Sequence, residues 1–282
     1  MQTDKKGESK LIQESYDDLT NEIHDNDEVK AVSCYYFGDT EDPIKASIKK
    51  LDLIARKIKI EPGMRILDIG CGYGSLLKYI AENYKDVKCT GVNISAEQVR
   101  IARINCAGFP IDIKLCDFME VQGKFDRIVC VEMMFHLGKG NIQKLLRKVD
   151  ECLEEDGLFF AHTVQRTDPW MPAINSWMTR HLYKGHYIPL MEDFLRWTRS
   201  YFTLEDVQSL GLHMSKTMED WAKNWERIRD QDQDKSEKKI QKYRGIIHSF
   251  RLCQGVFRTR QVDLLHYVFT KKENRKFYFG ER

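Results

Sequence analysis

The sequence predicts an α/β fold, a mostly parallel sheet with helices on both faces. Three observations lead there. Between Met64 and Val164, short aliphatic runs alternate with amphipathic stretches of helical period, the pattern of repeated strand–helix–strand crossovers. The first run ends in a glycine-rich turn, Gly70-Cys71-Gly72-Tyr73-Gly74, that opens a helix. The chain has 282 residues, 42% of them hydrophobic, which is too apolar for a disordered chain and long enough for one large domain or a domain with a cap.

The elements follow in order. Residues 1–30 are polar, with Leu11, Ile12, Tyr16, Leu19 and Ile23 spaced as in a helix lying on a larger body. Residues 43–59 form a second helix, with Ile44, Ile48, Leu51, Ile54, Ala55 and Ile58 on one face and Pro43 in the first turn. Glu61, Pro62 and Gly63 end it. Strands are expected over residues 65–70, 87–94, 111–116, 125–132 and 158–164, and helices over 74–84, 96–106 and 141–153. The crossovers should be right-handed. After Arg166 the alternation stops. Residues 168–200, with Trp170, Trp177, Tyr183, Tyr187, Phe194, Trp197 and Tyr201, read as an irregular insertion over the site. Thr203 is expected to cap a short helix with Asp206 at its third position. Residues 217–250 read as two charged amphipathic helices, and 262–271 as a final strand. The resulting division is a helical arm covering the active site (1–60), a sheet core (61–165), the insertion and helical cap (166–255), and C-terminal strands completing the sheet (256–282), all within one structural domain.

Composition excludes several function classes. Lys and Arg total 45 and Asp and Glu 43, a net charge of +2, so there is no bulk attraction to nucleic acid or anionic membrane. No stretch of about 18 uncharged apolar residues suggests a membrane helix, and the first ten residues, MQTDKKGESK, lack the apolar centre of a signal peptide. The eight cysteines never form CxxC, so they read as buried reduced thiols in a cytoplasmic protein rather than as metal ligands.

The most informative segment is Leu67-Asp68-Ile69-Gly70-Cys71-Gly72-Tyr73-Gly74. Its glycines let backbone pass close beneath a ligand, at a helix N-terminus. Alone, they could be a packing turn or a nucleotide site. The spacing D-x-G-x-G-x-G sets an acid two places before the first glycine, awkward beside a pyrophosphate but suited to an ammonium group. The segment resembles motif I of the Rossmann-like class I methyltransferases that use S-adenosylmethionine. That resemblance implies that Asp68, Gly70, Gly72 and Gly74 hold the methionine end of the cofactor. It implies further that Asn93, Ile94 and Gln98 meet the ribose, that Asp117 and Phe118 meet the adenine, and that Ser33 and Val131 complete the site.

A longer resemblance runs from about Ser33 to Lys271. Ser33-Cys34-Tyr35-Tyr36-Phe37, Pro62-Gly63-Met64 before the glycine turn, Ser95-Ala96-Glu97-Gln98, Phe159-Phe160-Ala161-His162-Thr163 and Ser215-Lys216-Thr217-Met218-Glu219-Asp220-Trp221 resemble the cyclopropane-fatty-acid synthase family, which includes mycolic acid cyclopropane synthases and coclaurine-type N-methyltransferases. It implies a seven-stranded, mostly parallel sheet, a helical cap, S-adenosylmethionine as the cofactor without a metal, and a small-molecule substrate. Partnership with nucleic acid is not expected, and a homodimer is left open.

One loop departs from the family. Lipid-modifying members carry a glycine and then F-E-H after the fourth strand, whereas this chain has Val131-Glu132-Met133-Met134-Phe135-His136. The resemblance implies that lipid cyclopropanation uses a bicarbonate held by Cys34, the F-E-H glutamate, His162 and a tyrosine before the cap helix. Phe135 and Met214 stand at the glutamate and tyrosine positions, so two of four ligands are replaced. N-methylation of an amine asks for less: an acid–base group removes the ammonium proton, and His136, with an intrinsic pKa near 6.5, assisted by Glu132, suits that role. The expected catalytic set is therefore Glu132, His136, His162 and Cys34, with Tyr35, Met133, Phe135 and Met214 around a partly hydrophobic substrate. An amine is favoured, with methylation or cyclopropanation of an unsaturated acyl chain as the alternative and a non-catalytic S-adenosylmethionine-binding protein as the second. A nucleic-acid methyltransferase is weaker, since no N-P-P-Y-type motif or basic cluster is present.

Overall fold

A computed structural model describes residues 33–169 and 187–281. The helix expected over residues 1–30 and most of the aromatic insertion, including Trp170, Trp177 and Tyr183, lie outside them. The first element is α1 (Pro43–Lys57), whose N-cap Asp42 accepts hydrogen bonds from the backbone N–H groups of Ile44 and Lys45. Then come β1 (Arg65–Ile69), α2 (Ser75–Asn83), β2 (Lys88–Asn93), α3 (Ala96–Asn105), β3 (Ile111–Leu115), β4 (Phe125–Val131), α4 (Lys139–Cys152) and β5 (Leu153–Arg166). The C-terminal part adds α5 (Met191–Thr198), β6 (Phe202–Ser209), α6 (Gly211–Gln231), α7 (Glu237–Arg258) and β7 (Val262–Lys271).

The strands form one seven-stranded sheet in the order β3-β2-β1-β4-β5-β7-β6. The first five run parallel, and β7 enters antiparallel between β5 and β6. The seven-stranded, mostly parallel sheet predicted from the sequence is thus present. Period-two side chains divide the core. Leu67, Ile128, Phe159 and Phe269 pack in one layer, with Leu145 and Val149 of α4. Ile66, Val129, Phe160 and Val268 pack in the other, with Ile54 of α1, Leu77 of α2 and Ala102 of α3. Helices α6 and α7 form a third cluster, in which Met214, Met218, Trp225, Ile246 and Phe250 close over Val164, Leu264 and Cys34.

Strand order reverses between β1 and β4, so the carboxyl ends of these strands frame a crevice, the usual ligand site of such sheets. Two turns there require glycine. Gly70 has φ +79°, and a Cβ on it would lie 2.5 Å from Met133 Cγ. Gly74 has φ +77°, and a Cβ on it would lie 2.6 Å from Cys106 Sγ.

Two expectations are corrected. Thr203 caps no helix: residues 202–209 are the edge strand β6, paired from Phe202↔Lys271 to Ser209↔Leu265, with an irregularity between Leu204 and Asp206. The local Thr-x-x-Asp signal lost to sheet pairing and to burial of Asp206 against Lys57, 2.5 Å away, whose side chains are 5% and 0% exposed. This strand also falls inside the stretch assigned to the cap. The described end of the insertion is not irregular either, because α5 buries Phe194 completely, with its ring 5.2 Å from that of Tyr267.

The Lys57–Asp206 pair ties α1 to the edge strand inside the protein. Removing one partner strands the other charge in the core. Asp206→Asn or Lys57→Met is expected to cost about 3–5 kcal/mol in denaturant unfolding, and the double replacement Lys57→Met/Asp206→Leu distinctly less than the sum.

Candidate active site

The site is built from loops at the carboxyl ends of β1, β2, β3 and β4 and from the segment before α1. At the end of β1, Asp68 is 3% exposed, and its Oδ1 is buried without a hydrogen-bond partner. Burial raises its pKa to about 7, with the nearby Lys50 acting in opposition. A buried acceptor with nothing to accept is costly unless a donor arrives. Beyond it, Gly70, Gly72 and Gly74 all hold positive φ. At the end of β2, Asn93 Nδ2 donates to Gln98 Oε1 at 2.8 Å, which orients both amides, and Asn93 Oδ1 accepts from Ser95 N–H. Ile94 is half-buried in the same loop. After β3, Asp117 caps the 3₁₀ turn Phe118–Glu120 through a reciprocal capping box, so its Oδ1 already accepts the Met119 N–H at 2.8 Å. Phe118 packs on the core beside it, and Val131 ends β4 half-buried.

Glu132 follows directly, with φ +50°, a backbone state that side chains other than glycine rarely adopt. It is held there. Its N–H donates to the His162 carbonyl at 2.8 Å. Its Oε1 accepts the backbone N–H of Cys34 at 2.7 Å and lies 3.0 Å from His162 Nε2, an approach off the axis of an aligned hydrogen bond. Glu132, Cys34 and His162 therefore meet, from β4, the N-terminal segment and β5. Strain of this kind persists only where the surroundings over-determine it, and it gathers at functional sites.

The remaining predicted residues distribute around this centre. Burial raises the Cys34 thiol well above its usual pKa, and Glu132 adds to the effect. The thiol donates to the Tyr35 carbonyl at 3.1 Å. What Cys34 offers the carboxylate is thus backbone, not sulfur. Burial also lowers the pKa of His162, although Glu132 works the other way. Tyr35 is buried and receives a hydrogen bond from Trp221 Nε1 at 3.0 Å. Met214 is buried in the same cluster as Cys34, and Phe135 packs on that cluster. His136 sits in the 3₁₀ turn Met134–His136, its ring centroid 3.9 Å from that of Phe135. Glu132 turns to Cys34 and His162 rather than to His136, so the expected Glu132–His136 pairing is not formed. The backbone at 132 is left-handed, and the carboxylate meets Cys34 N–H and His162. The Phe135 carbonyl accepts the Tyr187 N–H at 3.0 Å, which fastens the end of the insertion to this loop.

Two buried side chains at the site were not singled out from the sequence. Lys50 is 3% exposed, and its Nζ donates to Ser33 Oγ at 2.7 Å. Burial lowers its pKa, against the pull of Glu132, Cys34 and Asp68, so it is a buried cation near both acids. The signal was a lysine in register with the buried Ala46, Leu53 and Ile54 of α1. The second is His266, whose Nε2 stands 3.0 Å from His162 Nδ1.

A parallel sheet carrying a glycine turn and a buried, unpartnered acid at its switch point defines a class I methyltransferase. The family model for mycolic acid cyclopropane synthetase matches residues 3–267, and the chain belongs to this family of S-adenosylmethionine-dependent enzymes. The cyclopropane-fatty-acyl-phospholipid synthase of Escherichia coli (strain K12) is 31% identical over 269 residues, covering 93% of this chain and 68% of that protein. A probable fatty acid methyltransferase of Pseudomonas putida is 28% identical over 79% of this chain and 60% of its own length. In fold, the cyclopropane synthase MmaA2 from Mycobacterium tuberculosis superposes with a TM-score of 0.82 at 22% identity, over 94% of this chain and 98% of that one. Coclaurine N-methyltransferase does so with 0.75 at 23%, over 94% and 88%.

The residues fit the cofactor: the lone Oδ1 of Asp68 needs a donor, and the amino group of S-adenosylmethionine is one. Among the described residues no cluster of three or more His, Cys, Asp or Glu is arranged to hold a metal. Below about pH 7 the cofactor-free protein holds Asp68 as the neutral acid, so binding must first expel a proton. Affinity for S-adenosylmethionine is expected to fall roughly tenfold for each pH unit between 7 and 5.5. Asp68→Asn should bind weakly and flatten that slope in calorimetric titrations.

Proposed function

We propose that this chain transfers a methyl or methylene group from S-adenosylmethionine to the double bond of an unsaturated fatty acyl chain, with Glu132 as the proton acceptor. The observation that carries the proposal is the Glu132 carboxylate. It is fixed between Cys34 N–H and His162, beside the apolar cluster that includes Met214 and Phe135. The comparisons favour the acyl chain over the amine that the sequence reading put first, because the E. coli relative is named as a cyclopropane-fatty-acyl-phospholipid synthase and the Pseudomonas relative as a probable fatty acid methyltransferase. For the amine, Glu132 was expected either to orient His136 or to accept the proton itself, and only the second option is compatible with its turn toward Cys34 and His162.

Each residue has a role in this reading. Asp68 accepts from the cofactor's amino group, the turn at Gly70, Gly72 and Gly74 passes beneath it, Asn93 and Gln98 face the ribose, and Asp117 and Phe118 face the adenine. Ser33, Ile94 and Val131 complete the cofactor site. When bound, S-adenosylmethionine supplies an electrophilic methyl group to one alkene carbon, leaving positive charge on its neighbour. Glu132 then accepts a proton from the new methyl group, and the released C–H pair closes the ring. Oε1 accepts the Cys34 N–H, so Oε2 is the oxygen that receives the proton. Phe135 and Met214, in place of two anion ligands, leave the acid at 132 as the carboxylate in this position. Met133, Phe135, Tyr35 and Met214 exclude water from the cation, and His136 borders the pocket.

The test is incorporation of labelled methyl from S-adenosylmethionine. Label is expected in vesicles of unsaturated phospholipid, and label confined to amines overturns the reading. Glu132→Gln keeps the shape and removes the base. It should lower kcat by about 10²–10⁴-fold while leaving cofactor affinity close to that of the parent.

A further inference from the structure

His266 lies outside every role assigned so far. It sits on β7 directly opposite His162 of β5 in the antiparallel register. Both side chains are completely buried. Their rings are 4.6 Å apart, inclined at 54°, and His266 Nε2 meets His162 Nδ1 at 3.0 Å. The other nitrogen of His266, Nδ1, is buried with no hydrogen-bond partner, and Phe160 lies against the ring edge-on.

A hydrogen bond between two neutral imidazoles contains one proton, which comes from either side, and the choice fixes both tautomers. If His162 donated from Nδ1, its bare Nε2 lone pair would face Glu132 Oε1 at 3.0 Å. Two acceptors would then oppose each other. His266 would have to carry its proton on Nδ1, an N–H buried with nothing to receive it. The opposite arrangement removes the facing lone pairs and the stranded Nδ1–H of His266, and leaves His162 Nε2–H in an off-axis electrostatic approach to Glu132 Oε1 rather than an aligned hydrogen bond. His162 turns an N–H toward Glu132, and His266 keeps only a lone pair at its unpartnered nitrogen. Burial favours the neutral state of both rings. Besides His162, the charged or titratable groups acting on His266 are Lys57, Lys50 and His213, and all of them oppose a second positive charge there.

We propose that His266 is a positioning residue: by donating Nε2–H to His162 Nδ1 it fixes His162 as the Nε2–H tautomer that faces the Glu132 carboxylate. This rests on the reading of Glu132 as proton acceptor only for its effect on rate. The tautomer itself is independent of any substrate.

The experiment is ¹⁵N NMR of the full chain labelled on its eight histidines, with His162 assigned by its loss in His162→Gln. The expected spectrum shows His162 protonated at Nε2 and bare at Nδ1. In His266→Phe, which keeps ring volume without a donor, both tautomers of His162 should appear, and kcat should fall roughly ten- to a hundredfold, a part of what a general base contributes, with KM for S-adenosylmethionine nearly unchanged. His266→Gln, whose amide offers a donor at similar reach, should restore the single tautomer and most of the rate. A parent spectrum with His162 protonated at Nδ1 overturns the proposal, as does a His266→Phe protein with unchanged tautomer and kcat. If His266→Phe does not fold, the parent spectrum and His266→Gln decide. Should Glu132→Gln prove fully active, the function assigned to Glu132 falls, while the tautomer result stands by itself.

Discussion

A carboxylate withdrawn from water has to be met by donors, and the site follows from how this chain meets that demand at Glu132. One donor is the backbone N–H of Cys34, so the segment before α1 must cross the carboxyl edge of the sheet. The close approach of His162 comes from β5, so β4 and β5 must pair with Val131 level with His162, as they do. The residue itself must take a left-handed backbone. The first two conditions are not local. Each draws on an element separated from Glu132 in sequence, and together they tie the end of β4 to the N-terminal strap and to β5.

The cap completes the arrangement by controlling dielectric. Helices α6 and α7 bury Cys34 among methionine and aromatic side chains, and Thr217 of α6 accepts the Tyr35 N–H at 3.0 Å. The strap is therefore gripped from the sheet side and from the cap side. The same enclosure that would keep water from a carbocation also strengthens each polar contact within it. Lys50 is the counterweight, a buried ammonium near Asp68 and Glu132 that works against the rise burial imposes on Asp68.

What the sequence made readable depended on whether the signal was local and repeated. The strands at Arg65, Lys88, Ile111 and Phe125 showed as aliphatic runs, and the glycine turn showed by spacing. Strand β6 did not, because Thr203 and Asp206 mimic a helix start and only pairing with β7 reveals otherwise. His162 stood out on an apolar strand, yet His266 in Leu264-Leu265-His266-Tyr267-Val268-Phe269 is as isolated and went unweighed, since its meaning appears only when β7 lies beside β5. Phe135 was read as the loss of an acid. Glu132 was legible as a second carboxylate, but its left-handed backbone, which turns it to Cys34 and His162, is nothing that residue types alone announce.

Gly70 and Met133 lead to one more consequence. The methionine side chain occupies the space a Cβ at position 70 would need, so the turn beneath the cofactor and the loop bearing the carboxylate are in direct contact. Neither can be redesigned alone. Any enlargement at 70 displaces the loop by its root, and any trimming at 133 leaves the turn without its lid. The turn after β1 and the loop that carries Glu132 are therefore one packing unit, and a change of side chain at either position is felt at the other.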